Sequence, residues 1–97
     1  ALPVAALGGE GVISVIGNAL PKPFCELVRL ALAGDFAGAR HLHYRLLKLM
    51  NLNFVEGNPA GVKAMMHLLG ICGPDVRLPL VQASDALRAQ LKEALTE

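Results

Sequence analysis

The segment Gly8-Gly9-Glu10-Gly11-Val12-Ile13-Ser14-Val15-Ile16-Gly17-Asn18 decides how the chain is read. Residues 12–16 are short, β-branched and almost wholly apolar, with glycines on both sides, the pattern of a strand buried on both faces. Such a strand needs parallel neighbours and covering helices. The remaining sequence offers helices but no second strand of comparable strength. The expectation is therefore a chain that is mainly α, with one strand at about 11–16 followed by a helical bundle. It resembles the tail of an α/β protein more than a self-sufficient domain.

Working outward, residues 1–7 read as the end of a helix stopped by Gly8 and Gly9, because glycine takes the left-handed conformation after a helix at little cost. Beyond Asn18, Pro21 and Pro23 suit a first helical turn. Phe24, Leu27, Val28, Ala31 and Leu32 then follow at helical spacing over 22–33. Gly34 stops that helix, and Asp35 is placed to cap the next one, about 36–54. The long helix carries Ala39, Leu42, Leu46, Leu49 and Met50 as its apolar stripe, and Asn53 breaks the stripe. The tight junction at Gly34 and Asp35 predicts an antiparallel helix pair. Asn58-Pro59 reads as N-cap and N1 of a shorter helix ending at Leu69, with Gly70 beyond it. Residues 71–83, with two prolines, read as an extended connector. Ser84 caps a last helix to about Leu95, with Asp85 in its first turn and Leu87, Leu91 and Leu95 as its stripe.

Composition narrows the function classes. Hydrophobic residues make up 54% of the 97-residue chain and charged residues 18%, against about 45–50% and about 25% in ordinary soluble domains. In so small a chain this excess predicts apolar faces intended for other protein. Nine basic and eight acidic residues leave a net charge of +1 with no basic block. Neither nucleic acid nor a membrane surface is expected as a partner. No apolar run approaches the roughly 20 residues that span a bilayer. The sequence opens at Ala1 without a basic n-region, so no signal peptide is expected, and the missing Met fits a cleaved or truncated product. Cys25 and Cys72 match no metal or redox spacing, which suits a reducing cytoplasm and two buried, unreactive thiols.

No constellation carries a reaction unaided. The glycines of residues 8–11 precede the strand, whereas a phosphate loop needs them after it and before a helix. His41 and His43 are about 200° apart on a helix and cannot share a metal. His67 is isolated, and Glu56 has no carboxylate partner at useful spacing. Lys63 and Tyr44 are single polar positions in the helical tail. Ser14 lacks the surroundings of a nucleophile elbow. Neither metal nor cofactor is expected.

Two blocks are more specific. One is Gly8-Gly9-Glu10-Gly11-Val12-Ile13-Ser14-Val15. The other is Asn53-Phe54-Val55-Glu56-Gly57-Asn58-Pro59-Ala60-Gly61-Val62-Lys63-Ala64, followed by Leu69-Gly70 and by Val76-Arg77-Leu78-Pro79-Leu80-Val81. In order and separation they resemble the C-terminal third of the dihydrodipicolinate synthase (4-hydroxy-tetrahydrodipicolinate synthase) family, pyruvate-dependent class I aldolases built as (β/α)₈ TIM barrels. The resemblance covers nearly the whole chain. N-acetylneuraminate lyase and related sugar-acid aldolases share much of this tail.

The resemblance implies a parent α/β barrel. Residues 1–21 would supply the end of its seventh helix and its eighth strand, and residues 22–97 its eighth helix and C-terminal helical region. It implies a lyase of the diaminopimelate route to lysine, in which pyruvate forms a Schiff base and then adds to aspartate semialdehyde. It also implies a cytoplasmic homo-oligomer, commonly a tetramer. The Schiff-base lysine and the proton-shuttling tyrosine would lie upstream, and neither Lys63 nor Tyr44 matches them. One position carries over: Ile13, whose backbone would lie beside pyruvate at the end of the eighth strand. Pro21-Lys22-Pro23 departs from the family pattern in the loop that follows. The 97 residues alone would be inactive. The competing reading is a helical interaction module, for which a β-branched strand at 12–16 has no use. A lone strand has two unpaired edges, so the segment is expected either to pair with a copy of itself or to lose strand structure.

Overall fold

The computed structural model describes residues 1–96. Five helices carry the fold: α1 (Leu2–Ala6), α2 (Pro21–Leu32), α3 (Phe36–Leu52), α4 (Ala60–Leu68) and α5 (Asp85–Thr96), with one 3₁₀ turn at Ile16–Asn18. The helices stand close to where periodicity and capping residues place them. Asp35 caps α3 by accepting from the Gly38 amide at 3.0 Å. Ser84 caps α5 by accepting from the Leu87 amide at 3.1 Å. Pro21 is the first residue of α2, where its missing N–H costs nothing.

Two glycines set the chain's reversals. Gly34, at φ +83°, allows Asp35 N–H to reach back to the Leu30 carbonyl at 2.9 Å and closes α2 tightly against α3. Gly8, at φ +100°, ends α1 in the same way, with the Gly9 amide donating to Val4 O at 2.9 Å. The α2–α3 pair is the most extensive helix contact, as the short junction requires, and α5 packs on both α3 and α4. Leu27, Met65, Leu87 and Leu91 are the large apolar side chains fully buried in the core, with Phe24, Leu46, Leu49 and Val62 around them. Ile16 and Ala19 join the same core, so the N-terminal segment is anchored to the bundle at that end.

Two expectations are revised. The helix after Asn58-Pro59 begins at Ala60, and Pro59 itself is the N-cap with no side-chain cap bond. The expected strand at 11–16 is absent: the described residues contain no strand, and residues 9–14 are irregular. The amides of residues 10–13 donate to no described backbone carbonyl. The reason is physical. A strand is stabilised by its ladder partners, not by its own sequence, and this segment has none.

Candidate functional site

The segment 11–17 rises from Gly11 to the 3₁₀ turn. Ser14 shapes its end, its Oγ accepting from the Gly17 amide at 2.9 Å. Asn18 Nδ2 donates to the carbonyls of Ser14 and Val15 at 3.3 and 3.1 Å. These bonds turn the chain sharply into α2 and leave the preceding residues outside the bundle. Ile13, the residue singled out from sequence, is 104% exposed, and Val12 is exposed beside it. Two adjacent β-branched apolar side chains thus stand in solvent in the single chain.

Two clefts flank the segment. The larger, about 570 Å³, runs between residues 11–17 and α2 and is lined by Val12, Phe24, Cys25, Val28 and Leu32. The smaller, about 210 Å³, lies between residues 12–16 and the C-terminal end of α3, with Ala1 and Asn53 on its walls. No ionisable side chain lines the smaller cleft.

Asn53 is the unusual residue here. It is 0% exposed, and neither its Oδ1 nor its Nδ2 has a hydrogen-bond partner among the described residues. Orphaned buried amide groups cost on the order of 1–3 kcal/mol each. The first turn of α4 presses on its backbone: a Cβ added at Gly61 would stand 2.7 Å from Asn53 O. In the sequence Asn53 stands as a polar break in the α3 stripe and opens the Asn-Pro block, and neither marks it as buried without partners.

The remaining candidates do not assemble into a catalytic centre. Tyr44 stands on α3, 67% exposed, with its ring edge-on to His43 at 5.5 Å. Lys63 is half-buried on α4, and no described hydrogen bond joins it to Tyr44. His41 is exposed and His43 half-buried. His67, isolated in sequence, meets Arg88 of α5 with its Nδ1 2.9 Å from the guanidinium. Both cysteines are free thiols. Cys25 is exposed instead of buried, because it lines the open cleft beside residues 11–17, and Cys72 is half-buried. No cluster of three metal-ligating side chains occurs among the described residues. No helix there is long and apolar enough to cross a membrane.

Sequence reasoning also missed a clasp. Glu56 accepts from the Ser84 amide at 2.7 Å and from the Ser84 hydroxyl. The two Ser84 bonds, that of the hydroxyl first, hold the Glu56 carboxyl below its ordinary value. They tie the turn after α3 to the start of α5 across 28 positions, a pairing that no local pattern announces.

The whole chain, residues 1–97, matches the model of the dihydrodipicolinate synthetase family. The chain is 47% identical over 95 residues to a 4-hydroxy-tetrahydrodipicolinate synthase of Phocaeicola vulgatus, covering 98% of this chain and 32% of that protein. It superposes on the crystal structure of dihydrodipicolinate synthase from Aquifex aeolicus with a TM-score of 0.91 at 45% identity, over 98% of this chain and 32% of that one. A chloride-inhibited dihydrodipicolinate synthase of Acinetobacter baumannii, solved as a complex with pyruvate, gives a TM-score of 0.94 at 35% identity, over 99% of this chain and 33% of that one. The chain thus spans about a third of the length of the relatives it matches. Over that third it keeps their sequence and their backbone, and it belongs to the dihydrodipicolinate synthetase family.

Proposed function

We propose that the chain is the C-terminal third of a 4-hydroxy-tetrahydrodipicolinate synthase, a lyase that condenses pyruvate with aspartate semialdehyde. The observation that carries this is the family match across residues 1–97 together with 47% identity to an enzyme of that name. Residues 1–21 contribute the end of the seventh helix and the eighth strand of a (β/α)₈ barrel. Residues 22–97 contribute its eighth helix and C-terminal helical region. The exposed Val12 and Ile13 and the long cleft beside α2 suit a segment that barrel neighbours cover.

In this reading a lysine N-terminal to Ala1 attacks the C2 carbonyl of pyruvate through its amine. Water leaves, and the C=N bond of a Schiff base forms. The proton-shuttling tyrosine N-terminal to Ala1 takes a proton from C3 to give the enamine, whose C3 adds to the aldehyde carbon of aspartate semialdehyde as the tyrosine returns that proton to the new alkoxide oxygen. Ile13 presents its backbone beside the bound pyruvate, at the C-terminal end of its strand, where barrel sites form. The enzyme works as a cytoplasmic homo-oligomer. Lys63 takes no part, and the 97 residues alone are inert because they lack the covalent catalyst.

The test is trapping with pyruvate and borohydride, followed by peptide mapping. The full-length protein should be labelled on one lysine N-terminal to Ala1, and the 97-residue chain should not be labelled. A stoichiometric adduct on Lys63 would overturn the assignment.

A further inference from the structure

We infer that Asn18 is a positioning residue for pyruvate: its carboxamide holds the Ser14 carbonyl and thereby fixes the Ile13–Ser14 peptide that faces the substrate. This deepens the proposed function and rests on its placement of Ile13 beside bound pyruvate. Three observations carry it. Asn18 Nδ2 donates to the carbonyls of Ser14 and Val15 at 3.3 and 3.1 Å, one N–H for each acceptor, as a primary amide allows. Ser14 Oγ accepts from the Gly17 amide at 2.9 Å. Ile16 and Ala19, on either side of that turn, are buried in the core, so the frame that holds Ser14 is itself anchored. Ser14 is thus pinned at its carbonyl and at its hydroxyl. A residue held at two of the groups on its Cα cannot turn about it, and its third group, the nitrogen, is bonded to the Ile13 carbonyl carbon. The peptide bond is planar, so orienting that nitrogen orients the whole Ile13–Ser14 unit.

Closing the turn does not need the Asn18 side chain. Asn18 N–H reaches Val15 O at 3.1 Å, Ala19 N–H reaches Ile16 O at 3.0 Å, and Leu20 N–H meets the same Ile16 carbonyl at 2.9 Å. The main chain closes the turn by itself. The Ser14 carbonyl is different: among the described residues, only Asn18 Nδ2 donates to it. What the carboxamide adds is a fixed direction for the residue that follows Ile13. Its bonds span three and four positions, so they form in the single chain, where the strand is absent. A peptide set in place before the substrate arrives lowers the ordering cost of binding. Removing the Asn18 donors leaves the turn closed and lets the Ile13–Ser14 peptide rotate.

The test uses the full-length protein and titrates pyruvate in borohydride trapping, with no aldehyde present. Asn18→Leu removes both N–H donors and adds no charge. The pyruvate concentration giving the half-maximal initial labelling rate should rise about tenfold, the weight of one lost hydrogen bond. The final label per folded enzyme should stay at one lysine. A purely structural role lowers the labelled fraction and leaves the midpoint in place, so an unchanged midpoint overturns the inference. Should the variant not fold, the crystal structure of the trapped wild-type enzyme decides. Asn18 Nδ2 bonded to Ser14 O, with the Ile13 main chain against the trapped pyruvate, supports the role, and the absence of either contact overturns it. Wild-type labelling separates the two proposals. A wild-type adduct on a lysine N-terminal to Ala1, with the variant midpoint unchanged, sinks only the positioning role. No wild-type adduct sinks the enzymatic reading and the positioning role with it.

Discussion

At the scale of single residues, two contacts make predictions of opposite character. Gly61 is confined by backbone: an added Cβ would meet Asn53 O at 2.7 Å and Asn53 Cα at 3.0 Å. Main chain at a helix end cannot swing aside as a flexible side chain can. Gly61→Ala should destabilise the fold by about 1–3 kcal/mol, read as a lowered urea midpoint. Glu56 makes an electrostatic prediction. Its folded-state pKa is depressed by the bonds from Ser84, while the unfolded chain keeps the ordinary value of about 4.3. Its contribution is complete above that value and disappears as pH falls through the lowered folded value. Glu56→Gln should therefore be less stable than wild type at pH 7, with the gap closing as pH falls below the ordinary carboxylate value, when urea midpoints are compared. The clasp is solvent-exposed, so the difference is small.

At the scale of elements, most helices are legible in the sequence because their signals are local. Asp35 caps within three residues, Gly34 reverses the chain within one, and Leu87 and Leu91 fall on one face by spacing alone. Asp35→Ala should cost about 1 kcal/mol of stability, measured by thermal or urea unfolding. The segment 11–16 behaves differently. Its β-branched pattern states a preference, but no described residue supplies the ladder bonds a strand needs. Amides 12–16 should exchange within seconds in the 97-residue chain and be protected in the full-length protein. Equal protection in both would show that the strand needs no barrel.

At the scale of the whole molecule, the high apolar fraction finds its place on the surface. Val4, Leu7, Val12, Ile13, Leu32, Phe54 and Val55 are all exposed, while α2–α5 enclose a core of their own. Further exposed apolar side chains, Leu69, Ile71, Leu78, Leu80 and Val81, follow α4 in the connector to α5. The 97-residue chain should bind the dye ANS and self-associate progressively with rising concentration, whereas the full-length protein should bind no dye and keep one fixed assembly over the same range. A chain that stays monomeric and dye-free would contradict the reading of these faces as barrel contacts.

By itself the sequence determined the family, through its Gly-Gly-Glu-Gly and Asn-Pro blocks, and the helices, through caps, glycines and apolar spacing that act over a few residues. Only the tertiary structure decided what depends on distant contacts. It withheld the strand because no ladder partner is present, closed the Glu56–Ser84 clasp across 28 positions, and turned the polar break at Asn53 into a buried amide without a mate. A hydrogen bond needs both of its ends, and a local pattern can state only one of them.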